Sequence, residues 1–233
     1  MIRIALILPK DGVVLDLQKG EHLYFLGGPI RGAGDWQAKA IRMLTEKDPA
    51  CYIACPCRYY EGIKNSHELY QYHLPATKLP SETDDIREFP EYVLEFPNQT
   101  MWERYYLDMA SLWGSIIFWL PCEDQENPRQ KDDGPYAQDT YGELGRWSIR
   151  SSHNINPYTR GQHSHLVKSS ESSCMITDEQ FRQKIRLVVG AEKNFPGLKV
   201  IQKNFDADHK GKYPIYDSLE KTIDQAIVLA NQI

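Results

Sequence analysis

Glu143 is the side chain whose type and setting best suit chemistry. It lies in the stretch Gln138-Asp139-Thr140-Tyr141-Gly142-Glu143-Leu144-Gly145-Arg146. Ahead of it stands an apolar run, Ser115-Ile116-Ile117-Phe118-Trp119-Leu120-Pro121, which reads as a strand closed by proline. A polar loop spans 122–138. Asp139 and Thr140 then offer an N-cap, and the periodic run through Trp147 and Ile149 predicts a helix. In a parallel α/β sheet, ligands bind at the carboxyl ends of the strands. A carboxylate in the first turn of this helix would face that crevice. Gly142 beside it would let a ligand come close to the backbone. A plainer account is also open: an acid in a first turn is favoured by the positive end of the helix dipole.

The second stretch with chemical content is His22-Leu23-Tyr24-Phe25-Leu26 followed by Gly27-Gly28-Pro29-Ile30-Arg31-Gly32 and Asp35. It reads as a strand, a glycine-rich turn and the N-cap of a helix over 36–46. Trp36, Ala40, Ile41 and Leu44 share one face of that helix. Backbone N–H groups at such a turn can receive hydroxyl, phosphate or base oxygens. The turn is neither the dinucleotide fingerprint nor a P-loop, and it lacks the lysine of the latter.

Two clusters invite a metal reading and give it little support. Cys51, Cys55 and Cys57 are spaced four and two apart, without a zinc-knuckle form, so buried free thiols are the expectation. His163 and His165 stand in a polar loop with no third ligand in register. No metal and no cofactor are expected.

The elements that position these residues alternate. Residues 2–8 read as a strand, with Lys10-Asp11-Gly12 a hairpin turn and Val13-Val14-Leu15 the returning strand. Residues 50–54 read as a strand. Asn98-Gln99-Thr100 caps a helix over 101–112 with Trp102, Tyr105, Tyr106, Met109 and Leu112 at helical spacing. Those aromatics read as core, while Glu103 suits either the surface or the crevice. Residues 185–190 and 198–202 read as strands around a Phe195-Pro196-Gly197 turn, and Thr177-Asp178-Glu179-Gln180 as a helix cap. Asp217-Ser218-Leu219-Glu220 opens a helix to residue 230, with Leu219, Ile223, Ala226, Ile227 and Ala230 on one face. The fold class is therefore α/β, a mostly parallel sheet with helices on both faces, plus an N-terminal β-hairpin and inserted loops. Residues 1–233 read as one domain, with 1–22 a hairpin extension and 59–96 and 151–175 insertions.

Composition narrows the partners. Hydrophobic content is 41% and mean hydropathy −0.55, as in soluble globular chains, and no apolar run reaches a membrane span. Net charge is −5 and no basic patch stands out, which argues against nucleic acid. Five cysteines form no paired framework and the start has no signal-peptide layout, so a reducing cytoplasmic compartment is expected. Fourteen Tyr and five Trp suit a pocket that stacks flat rings, and equally an ordinary core.

Three pieces stand together in order: Phe25-Leu26-Gly27-Gly28-Pro29-Ile30 with Asp35-Trp36-Gln37, Gln99-x-x-Trp102-Glu103 ahead of Phe118-Trp119-Leu120-Pro121, and Thr140-Tyr141-Gly142-Glu143-Leu144-Gly145-Arg146. In this arrangement the chain resembles the nucleoside 2-deoxyribosyltransferase-like family, over most of 23–150 and more loosely 185–230. The resemblance implies a flavodoxin-like fold and cleavage or transfer of an N-glycosidic bond with retention. It makes Glu143 the nucleophile, Asp139 the carboxylate on the sugar hydroxyls, and Glu103 or Asp108 the acid on the base side. An acidic residue common in the family just before the strand is replaced here by Trp113-Gly114. Gly27, Gly28, Pro29, Ile30, Asp35, Trp36, Tyr141, Gly142 and Arg146 are the implied substrate-binding positions. Small-molecule nucleosides or nucleotides are the implied partners, and a homo-oligomer the implied assembly. Arg31, Arg58, Arg146 and Arg150 lie near the expected crevice edge. If they point inward they would bind a 5′-phosphate and favour a nucleotide N-glycosidase; if solvated or paired with acids they would not. A third reading is a nucleotide-binding module without chemistry.

Overall fold

The computed structural model describes residues 5–9, 17, 20–56, 98–126, 128–129, 134–152 and 185–232. The expected turn at 10–12 and returning strand at 13–15 lie outside them, as do Cys57, Arg58, His163, His165 and the cap at 177–180.

Among the described residues six parallel strands form one sheet: β1 (Ala5–Ile7), β2 (Leu23–Gly27), β3 (Tyr52–Ala54), β4 (Gly114–Leu120), β5 (Leu187–Ala191) and β6 (Ile215–Tyr216). Their order is β1-β3-β2-β4-β5-β6. From β3 to β6 this is the flavodoxin-like order, with β1 added at one edge. Every residue of β2, β4 and β5 is buried, as continuous apolar runs in a sheet covered on both faces must be.

Five helices are described: α1 (Trp36–Lys47), α2 (Gln99–Trp113), α3 (Gln138–Ser152), α4 (Leu198–Asp208) and α5 (Leu219–Ala230). Side chains alternate between faces along a strand, so contacts sort the helices. Phe25 meets Trp102 of α2 on one face. On the other, Gly190 and its register partner Trp119 lie under Thr222 of α5, and a Cβ at Gly190 would be driven into that threonine. α1 packs on α5. α3 is tied to α2 by Arg150 and Asp108, and to α4 by a 2.6 Å hydrogen bond from Ser148 to Asp208.

The apolar faces expected of the first, second and last helices are the buried ones. Trp36, Ala40, Ile41, Leu44, Trp102, Tyr106, Ile223 and Ala226 all lie in the core. Asn98 caps α2 by accepting from the Met101 N–H at 3.0 Å, and Ser218 caps α5 by accepting from Lys221.

Two expectations need correction. Residues 198–202 are helical, not a strand. Their β-branched pair suggested a strand, but Leu198, Ile201 and Phe205 recur at helical spacing against the core, and Gly197, at φ 73°, starts the helix. Residues 5–7 form the strand expected there and pair in parallel with β3 at the sheet's edge. The helix carrying Glu143 starts earlier than the cap expected at Asp139 and Thr140. Gln138 is its first residue, and the Tyr141 N–H already bonds to the Ala137 carbonyl. Glu143 is thus in the second turn, not the first. Among the described residues no helix is long and apolar enough to cross a membrane.

Candidate active site

The strand order reverses between β2 and β4, the usual position for a ligand in this architecture. Gly28, first residue beyond β2, has φ +142°, and a Cβ on it would stand 2.2 Å from the Trp119 carbonyl oxygen. Only glycine lets the two chains run this close. The Pro29 carbonyl accepts two hydrogen bonds, from Trp36 Nε1 at 2.8 Å and Gln37 Nε2 at 3.2 Å, which pin the turn to the first residues of α1. Ile30 packs against the core. Asp35 takes the N-cap position without a side-chain cap bond, and its carboxylate pairs with Lys39 at 2.7 Å. The loop after β4 is sewn to this turn by the Asp124 N–H on the Gly32 carbonyl at 2.7 Å.

α3 is seated by aromatic anchors. Tyr136 donates to the Pro121 carbonyl at 2.8 Å and Tyr141 to the Pro196 carbonyl at 2.6 Å, with Phe195 against both rings. Tyr141, expected among substrate contacts, thus has its hydroxyl committed to the β5–α4 turn. Thr140, Leu144, Trp147 and Ser151 form the buried stripe of α3. Glu143 is three residues after Thr140 and four before Trp147, so it sits on the edge of that stripe, half-buried. Gly142 is exposed, and nothing stands within 4 Å of a Cβ built there.

α2 and α3 both run away from the carboxyl end of the sheet, side by side. Asp108, fully buried, pairs with Arg150 at 2.9 Å, and that guanidinium lies 4.2 Å over the Trp147 ring. With this register the charge of Glu103 on α2 reaches the Glu143 carboxyl on α3. This charge and that of exposed Asp139 add to burial in pushing the Glu143 carboxyl up to about 8, against the opposing pull of Arg146. Arg146 is held below the ordinary guanidinium range by burial first, then by Arg150 and Arg104, while Asp108 and Glu143 work the other way.

This bears on the helix-dipole account of Glu143. A dipole acts within the first turn and favours the ionised carboxylate. Glu143 lies beyond that turn and its carboxyl is raised, not lowered. Buried like-charged carboxyl pairs are a recurrent way to keep one acid protonated near neutral pH.

Of the two acids considered for the base side, Asp108 is occupied by Arg150 and Glu103 is the one whose charge acts on Glu143. Of the arginines, Arg150 is withdrawn into the ion pair and Arg146 and Arg31 are exposed. Sequence reasoning named Gln37 and Gln99 within its motifs and gave neither a role. Gln99 Nε2 donates to Glu103 Oε1 at 2.6 Å and to the Pro56 carbonyl at 3.1 Å. Its spacing of four from Glu103 was the available signal. Cys51 and Cys55 are buried free thiols, and among the described residues no three metal-ligating side chains gather. Neither a scan against family models nor a search of curated proteins finds a match for this chain.

Proposed function

We propose that this protein cleaves the N-glycosidic bond of nucleosides through Glu143 and passes the sugar to a second base or to water. One observation carries the reading: burial, with the nearby charges of Glu103 and Asp139, pushes the Glu143 carboxyl up to about 8, so this acid keeps a proton near neutral pH. The resemblance of the Gly27–Ile30 turn, the Trp102-Glu103 pair and the Tyr141-Gly142-Glu143 motif to nucleoside 2-deoxyribosyltransferases supports it.

In this reading the proton moves from Glu143 to Glu103 as substrate binds. Ionised Glu143 attacks the anomeric carbon. The carbon–nitrogen bond breaks, and Glu103 gives its proton to the departing base nitrogen. A glycosyl ester of Glu143 remains. An incoming base or water then loses a proton to Glu103, attacks the same carbon and frees Glu143. Two inversions give net retention. Asp139, one turn before Glu143, takes the sugar hydroxyls, and the turn at Gly27, Gly28, Pro29 and Ile30 lines the pocket. No cofactor enters. The enzyme acts in the cytoplasm on small-molecule substrate, as a homo-oligomer.

A nucleoside 5′-monophosphate as substrate is favoured by a second observation. Arg146 is exposed one turn after Glu143, where its guanidinium could meet a 5′-phosphate by charge-assisted hydrogen bonds.

The test is release of free base from a panel of nucleosides and their 5′-monophosphates, with and without an acceptor base, followed by chromatography beside Glu143→Gln. Exchange that needs the acceptor identifies a transferase. Release without it identifies a hydrolase, and preference for monophosphates the nucleotide reading. Turnover that survives Glu143→Gln removes the assignment of the nucleophile. Nucleotide binding with no turnover on the whole panel replaces the enzyme by a binding module.

A further inference from the structure

Gln99 is the first residue of α2, and Glu103 follows it by four, so both side chains lie on one face of the helix. The amide nitrogen reaches two acceptors at once: Glu103 Oε1 at 2.6 Å and the carbonyl of Pro56, just beyond β3, at 3.1 Å. A backbone carbonyl can only accept, so the amide must present nitrogen to it, and the same nitrogen then meets Glu103 as a donor. The β3 end is itself held, with the Cys55 N–H on the Ile7 carbonyl at 3.0 Å. Gln99 therefore ties Glu103 to the carboxyl edge of the sheet and not merely to its own helix.

We infer that Gln99 is a positioning residue: by donating to Glu103 while anchored on Pro56, it fixes that carboxyl at the carboxyl edge of the sheet as an acceptor, ready to take up a proton when substrate arrives. The inference rests on the catalytic reading of this pair. A donor on one oxygen favours charge on Glu103. Among the described residues, the charged groups that act on Glu143 and Arg146 include Asp139 on α3 and Arg104 on α2, with Asp108 and Arg150 paired further along.

The experiment isolates Glu103 by working in full-length protein carrying Glu143→Gln, where Glu103 titrates without its partner. The side-chain carboxyl of Glu103 is followed by carbon NMR from pH 3 to 9, with and without Gln99→Met. Losing one hydrogen bond to a charged group should raise the midpoint by about one pH unit or more. Gln99→Glu keeps the length and removes the donor; it must move the midpoint the same way, and it carries the test if the methionine variant does not fold. A midpoint unmoved in a folded variant overturns the inference and leaves Gln99 as a helix-start contact only. In the chain with Glu143 intact, Gln99→Met should lower kcat more than it changes KM and shift the pH profile of kcat, which lost packing alone would not do. The two readings fail separately. Absence of base release from wild-type protein sinks the proposed activity, while the NMR midpoint still reports on Gln99.

Discussion

Asp108 and Arg150 pair at 2.9 Å between α2 and α3, and this buried contact ties together the two helices that carry Glu103 and Glu143. Removing one partner leaves a charge buried without compensation. Arg150→Met should therefore destabilise the chain by about 3–5 kcal/mol. Urea unfolding checks this, and the double change Asp108→Leu with Arg150→Met should recover much of the loss. A single variant as stable as wild type would mean that the pair does not hold the helices.

The Glu143 carboxyl makes stability fall as pH rises. Its folded value, about 8, lies above the ordinary 4.5, so between these pH values the folded chain binds more protons than the unfolded one. Stability from this group is complete below about pH 4.5 and is lost by the time pH passes 8. The loss is on the order of a few kcal/mol. Glu143→Gln should remove that slope and be the more stable protein at pH 9, as measured by unfolding at a series of pH values. Parallel curves for the two proteins would show that Glu143 titrates normally.

Glu103→Gln should slow base release by about 10²–10⁴-fold through loss of the general acid. The deficit should shrink for a substrate whose base leaves without protonation. An equal deficit on both substrates would assign Glu103 to positioning rather than proton transfer. Single-turnover rates on the two leaving groups supply the comparison.

Gly28→Ala places a methyl 2.2 Å from the Trp119 carbonyl, at a φ of +142° that alanine rarely adopts. The turn must shift away from β4. The expected outcome is a fall in stability of about 1–3 kcal/mol and loss of activity. Gly142→Ala meets open space in a helix and should leave stability unchanged or raise it slightly, by about 0.5–1 kcal/mol. Melting curves of the two alanine variants, compared side by side, decide whether close approach at the strand reversal is what requires Gly28.

The helices with buried faces at 36–47, 99–113 and 219–230 were legible because apolar period and capping residues are local properties of the chain. The central strands were legible because a sheet buried on both faces needs unbroken apolar runs. The carboxylate Glu143, its glycine neighbour and the glycine-rich turn were likewise visible as residue types next to a strand and a helix. Their chemistry was not, because a lone acid in a helix reads the same whether it is solvated or enclosed. Local signals misled at 198–202, where Gly197 and packing of Ile201 and Phe205 on the core decided for helix over strand. Tertiary structure alone chose Arg150 for Asp108, brought the charge of Glu103 to bear on Glu143, and brought Gln99 to the Pro56 carbonyl. Each of these joins residues about 40 apart in sequence. The first two depend on two parallel helices packed in one register, and the third on α2 starting at the carboxyl edge of the sheet near β3, none of which a local pattern encodes.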